Sequence, residues 1–156
     1  MMQFYTYFQT KTIQKMTISL LKKSNRELLD IKKIRKLVFS DELKIPESNL
    51  FDEYDHTCEQ FLIKNDQTII GALRLRKEND SIKLERMAIL TKYRKMSFGV
   101  QTIDEVKKYC ITKNESKIFL DSIYDVRDFY KKCGFSETGN VFKRADLPHV
   151  KMEMLI

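Results

Sequence analysis

KLERMAILTKYRKMSFGVQTIDEVKKY, Lys83 to Tyr109, is the stretch from which the fold of this chain is read. Its first part is an apolar-rich strand running to Leu90, and a short basic loop follows with Arg94, Lys95, Ser97 and Gly99. From Lys95 to Thr112 the pattern is helical, with Phe98, Ile103, Val106 and Tyr109 on an apolar face. The first backbone N–H groups of such a helix lack internal partners, and its dipole places partial positive charge at that end. A strand delivering its end to a helix N-terminus through a basic loop is therefore suited to hold an anion.

Working outward, TISLL (Thr17–Leu21) reads as a first strand. Ser24 and Glu27 form a capping-box pattern ahead of a helix carrying Leu28, Ile31, Ile34, Leu37 and Val38 at helical spacing. Pro46 ends that pattern inside an acidic segment, and Phe51 to Cys58 is either a short helix or an acidic loop. Three strands follow, Gln60–Lys64, Thr68–Arg76 and Ile82–Leu90, separated by the turn signals Asn65-Asp66 and Glu78-Asn79-Asp80-Ser81. Beyond the central helix come a strand at Lys117–Leu120, a helix at Asp125–Lys132 closed by Gly134, and a last strand at Val150–Leu155 with Val141–Lys143 as partner. The order β-α-(α)-β-β-β-α-β-α-β-β defines an α+β protein.

Composition removes several function classes. A chain of 156 residues is one domain. Cys58, Cys110 and Cys133 are odd in number and lack metal-ligand spacing, so no metal is expected and a reducing cytoplasm is the natural setting. Residues 1–15 show neither a long apolar region nor a cleavage site, and are read as an N-terminal extension to a domain spanning 16–156. The net charge is +7, yet Asp41 to Glu59 holds seven carboxylates and one lysine. Scattered lysines without interleaved aromatics argue against a nucleic-acid module, and no apolar run approaches the roughly 20 residues that span a membrane.

The element order, the loop Arg94-Lys95-Met96-Ser97-Phe98-Gly99 and the run FYKKCGF (Phe129–Phe135) together resemble the GCN5-related N-acetyltransferase (GNAT) superfamily from about Met16 to the C-terminus. Within it, Arg35-x-x-Val38-Phe39, Glu42, Pro46, Asp52, Asp55 and LPHVKM (Leu147–Met152) are similar to the ElaA/YjcF-like acetyltransferases, although Gln60 stands where that subgroup usually has a histidine. The resemblance implies an acyl-CoA N-acyltransferase fold, a central, mostly antiparallel mixed sheet flanked by helices. It implies acetyl-CoA as acyl donor, with backbone groups of Met87, Ala88 and Ile89 beside pantetheine in a splayed strand. The pyrophosphate would sit over Arg94, Lys95, Met96, Ser97, Phe98, Gly99 and Val100. Ser97 replaces the first glycine of the family's loop, and the asparagine that often precedes the tyrosine is absent near Ile123.

By the same resemblance Tyr130 is the general acid that protonates the departing thiolate. Loss of a proton from the acceptor amine is assigned to Glu85, to His149 or to a water-mediated path. Asp52 and Asp55 are expected at the acceptor entrance, where acidic groups attract a polyamine, a lysine or an aminated small molecule. Expected partners are acetyl-CoA and an amine acceptor, not membrane or nucleic acid, and a homodimer is compatible with the fold. The competing reading is a GNAT-fold domain that binds acyl-CoA or a partner without catalysis.

Overall fold

The computed structural model describes residues 17–24 and 28–156. Glu27, and with it the expected capping box, lies outside the described residues, as do residues 1–15. One eight-stranded sheet organises the molecule, in the order β1-β2-β3-β4-β5-β8-β6 with β7 on the other part of β8. The strands are β1 (Ile18–Lys23), β2 (Glu59–Asn65), β3 (Thr68–Glu78), β4 (Ser81–Ile89), β5 (Lys117–Ile123), β6 (Ser136–Glu137), β7 (Phe142–Arg144) and β8 (Leu147–Leu155). Every pairing is antiparallel except β4 with β5. This is the α+β mixed sheet that the residue pattern and the resemblance imply.

Side-chain alternation explains the layers. Along β2, Phe61 and Ile63 enter one apolar cluster while Leu62 enters another, and along β3 Leu73 and Ala72 divide in the same way. Helix α2 (Phe98–Thr112) covers the first face through Phe98, Ile103, Val106 and Cys110. Helix α1 (Leu29–Arg35) covers the second through Ile31 and Ile34, and the chain runs on as π-type turns over Lys36–Glu42 that add Val38. A third helix, α3 (Arg127–Lys132), stands beside β5 and closes at Gly134, whose φ of 100° suits only glycine. Among the described residues no helix is long and apolar enough to cross a membrane.

Element boundaries shift for local reasons. Helix α2 begins at Phe98 rather than Lys95 because Ser97, with φ of 63°, cannot continue a right-handed helix and becomes its N-cap. Phe51–Cys58 contains only a single tight turn, Glu53–His56. Asp52 and Asp55 cap it reciprocally, Asp52 Oδ1 accepting from Tyr54 N and Asp55 Oδ2 from Asp52 N. Strand β8 starts three residues early because Ala145 and Asp146, both with positive φ, form the two-residue turn that returns β7 onto Leu147–His149.

The feature that makes a site is the separation of β4 from β5. They are in register only at Ile82 with Ile118 and Lys83 with Phe119, although both strands continue well beyond. A bulge in β4 accompanies the divergence: between the pairs Arg74–Glu85 and Ala72–Ala88, the single residue Leu73 faces both Arg86 and Met87. Arg86 takes φ of 53° to make the bend. On the β3 side the closeness of the strands depends on Gly71, where a Cβ would lie 2.3 Å from the Ala88 carbonyl oxygen. Gly71→Ala must displace backbone, so it is expected to cost about 1–3 kcal/mol and to lower the midpoint of thermal unfolding by several degrees. An unchanged midpoint would contradict this packing.

Candidate active site

Where β4 and β5 part, the sheet opens into a cleft of about 340 Å³. Tyr130, Glu85, His149, Asp52 and Met87 all line it, so three elements and one loop converge on one space. Asp55 does not reach it. That side chain is buried behind the cleft, accepting from Arg35 Nη1 at 2.7 Å and from Gln60 Nε2 at 2.9 Å. Gln60 also accepts from Arg35 Nη2 at 2.9 Å, so the glutamine serves as the bridge that completes this buried cluster.

Arg74 is the centre of the wall, with its side chain 1% exposed. Nη1 and Nη2 donate to the two oxygens of Asp52 at 2.6 and 2.9 Å, and Nε and Nη2 donate to Glu85 Oε2 at 2.9 and 2.6 Å. Nη1 also lies 3.1 Å from Asp55 Oδ1. Planar guanidinium geometry satisfies several carboxylates at once in a way no ammonium does. No motif marks Arg74 in the sequence, where it stands between Leu73 and Leu75; only the cross-strand register puts it opposite Glu85.

These contacts set the ionisation of the acids. Hydrogen bonds from Arg74, aided by the charge of Arg86, hold Asp52 at about 2. Burial alone would raise Glu85, but the charge of Arg74 and the bonds from Arg76 and Arg74 outweigh it and hold the carboxyl low. Glu85 is thus ionised and saturated with donors, which makes it a weak proton acceptor. Burial likewise opposes Asp55, and Arg35 overcomes it.

His149 is better placed. Its Nδ1 lies 2.8 Å from the Leu147 carbonyl oxygen, which can only accept, so the neutral ring carries its proton there and leaves the Nε2 lone pair free. The ring stacks on Phe142, with centroids 5.8 Å apart, and is held in orientation. Tyr130 sits edge-on between Phe129 and Phe135, at 4.9 and 5.7 Å. Burial and the neighbouring Cys133 push its phenol up, so it stays protonated as a hydrogen-bond donor. Its hydroxyl has no hydrogen-bond partner among the described residues.

The basic loop lies away from the cleft wall, and its parts do different work. Arg94 is engaged: Nη1 and Nη2 donate to the Glu42 oxygens at 2.8 and 3.2 Å, and Nε donates to the Ile89 carbonyl at 2.8 Å. It thereby ties the end of β4 to the π turns after α1, which explains Glu42 in the early motif. Lys95, Met96, Ser97 and Val100 are exposed. Lys95 and Ser97 both have positive φ, so the backbone turns sharply ahead of α2. The Ser97 hydroxyl makes no capping bond. Phe98 is a core residue. Gly99 serves packing, since a Cβ there would meet the Phe129 ring at 2.9 Å, and Phe129 in turn supports Tyr130. Loop and tyrosine are mechanically linked.

Backbone direction sorts the three strand residues. The Ala88 carbonyl points at Gly71 on β3. Alternation then turns the polar groups of Met87 and Ile89 toward the gap beside β5, and the Ile89 carbonyl already accepts from Arg94. Unpaired strand edge, a helix N-terminus and an unengaged Lys95 fit an extended amide chain ending in phosphates. Among the described residues no group of His, Cys, Asp or Glu is arranged to hold a metal ion. All three cysteines are buried and free, with burial pushing the Cys110 thiol up to about 12, so none is a nucleophile.

Residues 46–156 match the acetyltransferase (GNAT) domain family, and the chain belongs to it. A Bacillus subtilis (strain 168) protein with the provisional name of acetyltransferase is 31% identical over 132 residues, 83% of this chain and 90% of its own. YjcF of the same organism, an uncharacterized N-acetyltransferase, is 26% identical over 86% of this chain and 96% of its own. Among solved structures, Escherichia coli ElaA superposes with a TM-score of 0.76 at 20% identity, covering 88% of this chain and 99% of that one. A GNAT acetyltransferase from Elizabethkingia anophelis, solved with acetyl-CoA bound, gives 0.68 at 16% identity over 90% and 99%.

Acid titration checks the cleft wall. A carboxylate held below its unfolded value contributes stability that is full above about pH 4 and lost as pH falls through its folded value. Asp52, at about 2, is expected to contribute about 2 kcal/mol, so denaturant unfolding should be insensitive to pH near neutrality and weaken steeply from about pH 4 toward 2. Asp52→Asn should flatten that limb; an unaltered limb would contradict the ion-pair assignment.

Proposed function

We propose that this protein moves an acetyl group from acetyl-CoA directly to a primary amine, inside a reducing cytoplasm, as a domain beginning near residue 16. The observation that carries the reading is the opening of β4 from β5 onto a cleft shared by Tyr130 and His149. Acetyl-CoA, when bound, supplies the reactive thioester. The backbone groups of Met87 and the N–H of Ile89 face the gap, and an N–H there polarises the thioester carbonyl as an oxyanion site does. Lys95, the Ser97 hydroxyl and the first N–H groups of α2 hold the phosphates. His149 Nε2, directly or through water, takes the proton that an ammonium must lose before it attacks. Tyr130 donates its proton to the leaving sulfur and recovers one from the acetylated product or solvent.

Arg94, committed to Glu42, and the Cβ of Ser97 favour the alternative of a binding module without turnover. Tyr130, unpartnered and protonated at the cleft, favours the enzyme. Acetyl-CoA at about 100 times its dissociation constant should add roughly 2.7 kcal/mol to stability. Thiol release with a panel of primary amines then separates the two readings. Tyr130→Phe should keep the acetyl-CoA thermal shift and lose about 10²-fold in kcat. A shift without thiol release for any amine would establish the binding module, and a fully active Tyr130→Phe would remove the tyrosine from the chemistry.

A further inference from the structure

We infer that the acceptor is an amine that also carries a carboxylate, an amino-acid-type substrate; the inference rests on the transferase reading above. The wall of the cleft is more cationic than its acidic residues suggest. Arg74, Arg76, Lys83, Arg86 and Arg144 line it, against Asp52, Glu85 and Asp121. Arg76 also reaches Glu85 at 3.2 Å, but its charge is balanced by Glu78 outside the cleft at 2.7 Å, and the buried Arg35–Asp55 pair behind is neutral. Four cations therefore face three carboxylates, leaving one positive charge uncompensated.

The imbalance has an address. Arg74 is fully engaged, as described. Asp52, its bidentate partner, is also the ion-pair partner of Arg86, at 3.3 Å, and Arg86 Nε is buried with no acceptor among the described residues. Asp121 is shared in the same way, held by Lys83 at 2.8 Å and by Arg144 at 2.9 Å. Arg86 and Arg144 are each the second cation on a carboxylate already paired. A guanidinium in that position, half-buried for Arg86 and exposed for Arg144, favours an incoming anion, and its fork matches a carboxylate.

The converse excludes a polyamine. Each of the three carboxylates already faces at least two cations, so a second ammonium would meet like charge and no free acceptor. Asp52, expected to attract a cation, instead positions the arginines. Residues 94–99 do not line this cleft, so its positive charge is separate from that of the phosphate loop. One surplus charge also matches a monoanion rather than a phosphate dianion.

Matched sets test this: α-amino acids, their amides, the corresponding decarboxylated amines and spermidine, each with acetyl-CoA and the full chain, followed by thiol release. Expected is a kcat/KM for the preferred acids at least tenfold above that for their amides, with spermidine poorest. Arg144→Gln should narrow the acid-to-amide ratio at least tenfold, mainly through KM, and Arg144→Lys should restore part of it. Amides, decarboxylated amines or spermidine turned over as well as the acids would overturn the inference. Should no amine release thiol, calorimetric titration of the same acids and amides into CoA-saturated protein decides separately. Binding of acids but not amides, lost in Arg144→Gln, would retain the carboxylate site while the transferase reading fails; no binding of acids would overturn the site.

Discussion

A single buried guanidinium, that of Arg74, organises the working half of this molecule. Removing a charged group from water is costly unless every donor is met and opposite charge is at hand. Arg74 meets that requirement by drawing Asp52 from the loop after α1, Glu85 from β4 and Asp55 from behind into one arrangement. Those same contacts pin the loop over the sheet at the point where β4 bulges. Without them, the cleft would lose that wall. Such clusters usually add little net stability relative to an apolar core, but deleting one partner strands the others at about 3–5 kcal/mol. Here the cluster fixes geometry, and the apolar faces under α1 and α2 hold the sheet.

A second chain of contacts runs from the basic loop to Tyr130. Gly99 lacks a Cβ so that Phe129 can approach, and Phe129 supports the tyrosine ring. Arg94 and Glu42 clamp the other side of the loop to the end of β4. The basic loop and the tyrosine end of the gap are therefore not independent modules. A change at the loop is transmitted to the tyrosine by packing alone.

Much of the fold was legible in the residues. Turn signals at Asn65-Asp66 and Asn79-Asp80 separate β2, β3 and β4, and the helical faces of α1 and α2 follow from apolar spacing. The gathering of Tyr130, His149, Glu85 and Asp52 on one cleft follows from the family's order of elements. What could not be read was pairing across strands. Arg74 carries no motif of its own, Asp55 reads as an entrance acid and Gln60 as a departure from the subgroup; each acquires its role only from a register that places distant positions side by side. One signal was available: Asp52-Glu53-Tyr54-Asp55 is itself a capping box, which predicts that both acids are occupied locally. The loop's glycine was read for phosphate approach, whereas its contact with Phe129 needs knowledge of where α3 packs.

The open edge of β4, kept apart from β5, is the proposed seat of the acyl donor. Site-resolved amide hydrogen exchange with and without acetyl-CoA tests it most directly. The account predicts that the Met87 and Ile89 amides, facing the gap, gain protection on binding, while residues whose groups are already used by β3, such as Ala88, change little. Protection confined to the loop at 94–100, with Met87 and Ile89 exchanging as before, would contradict it.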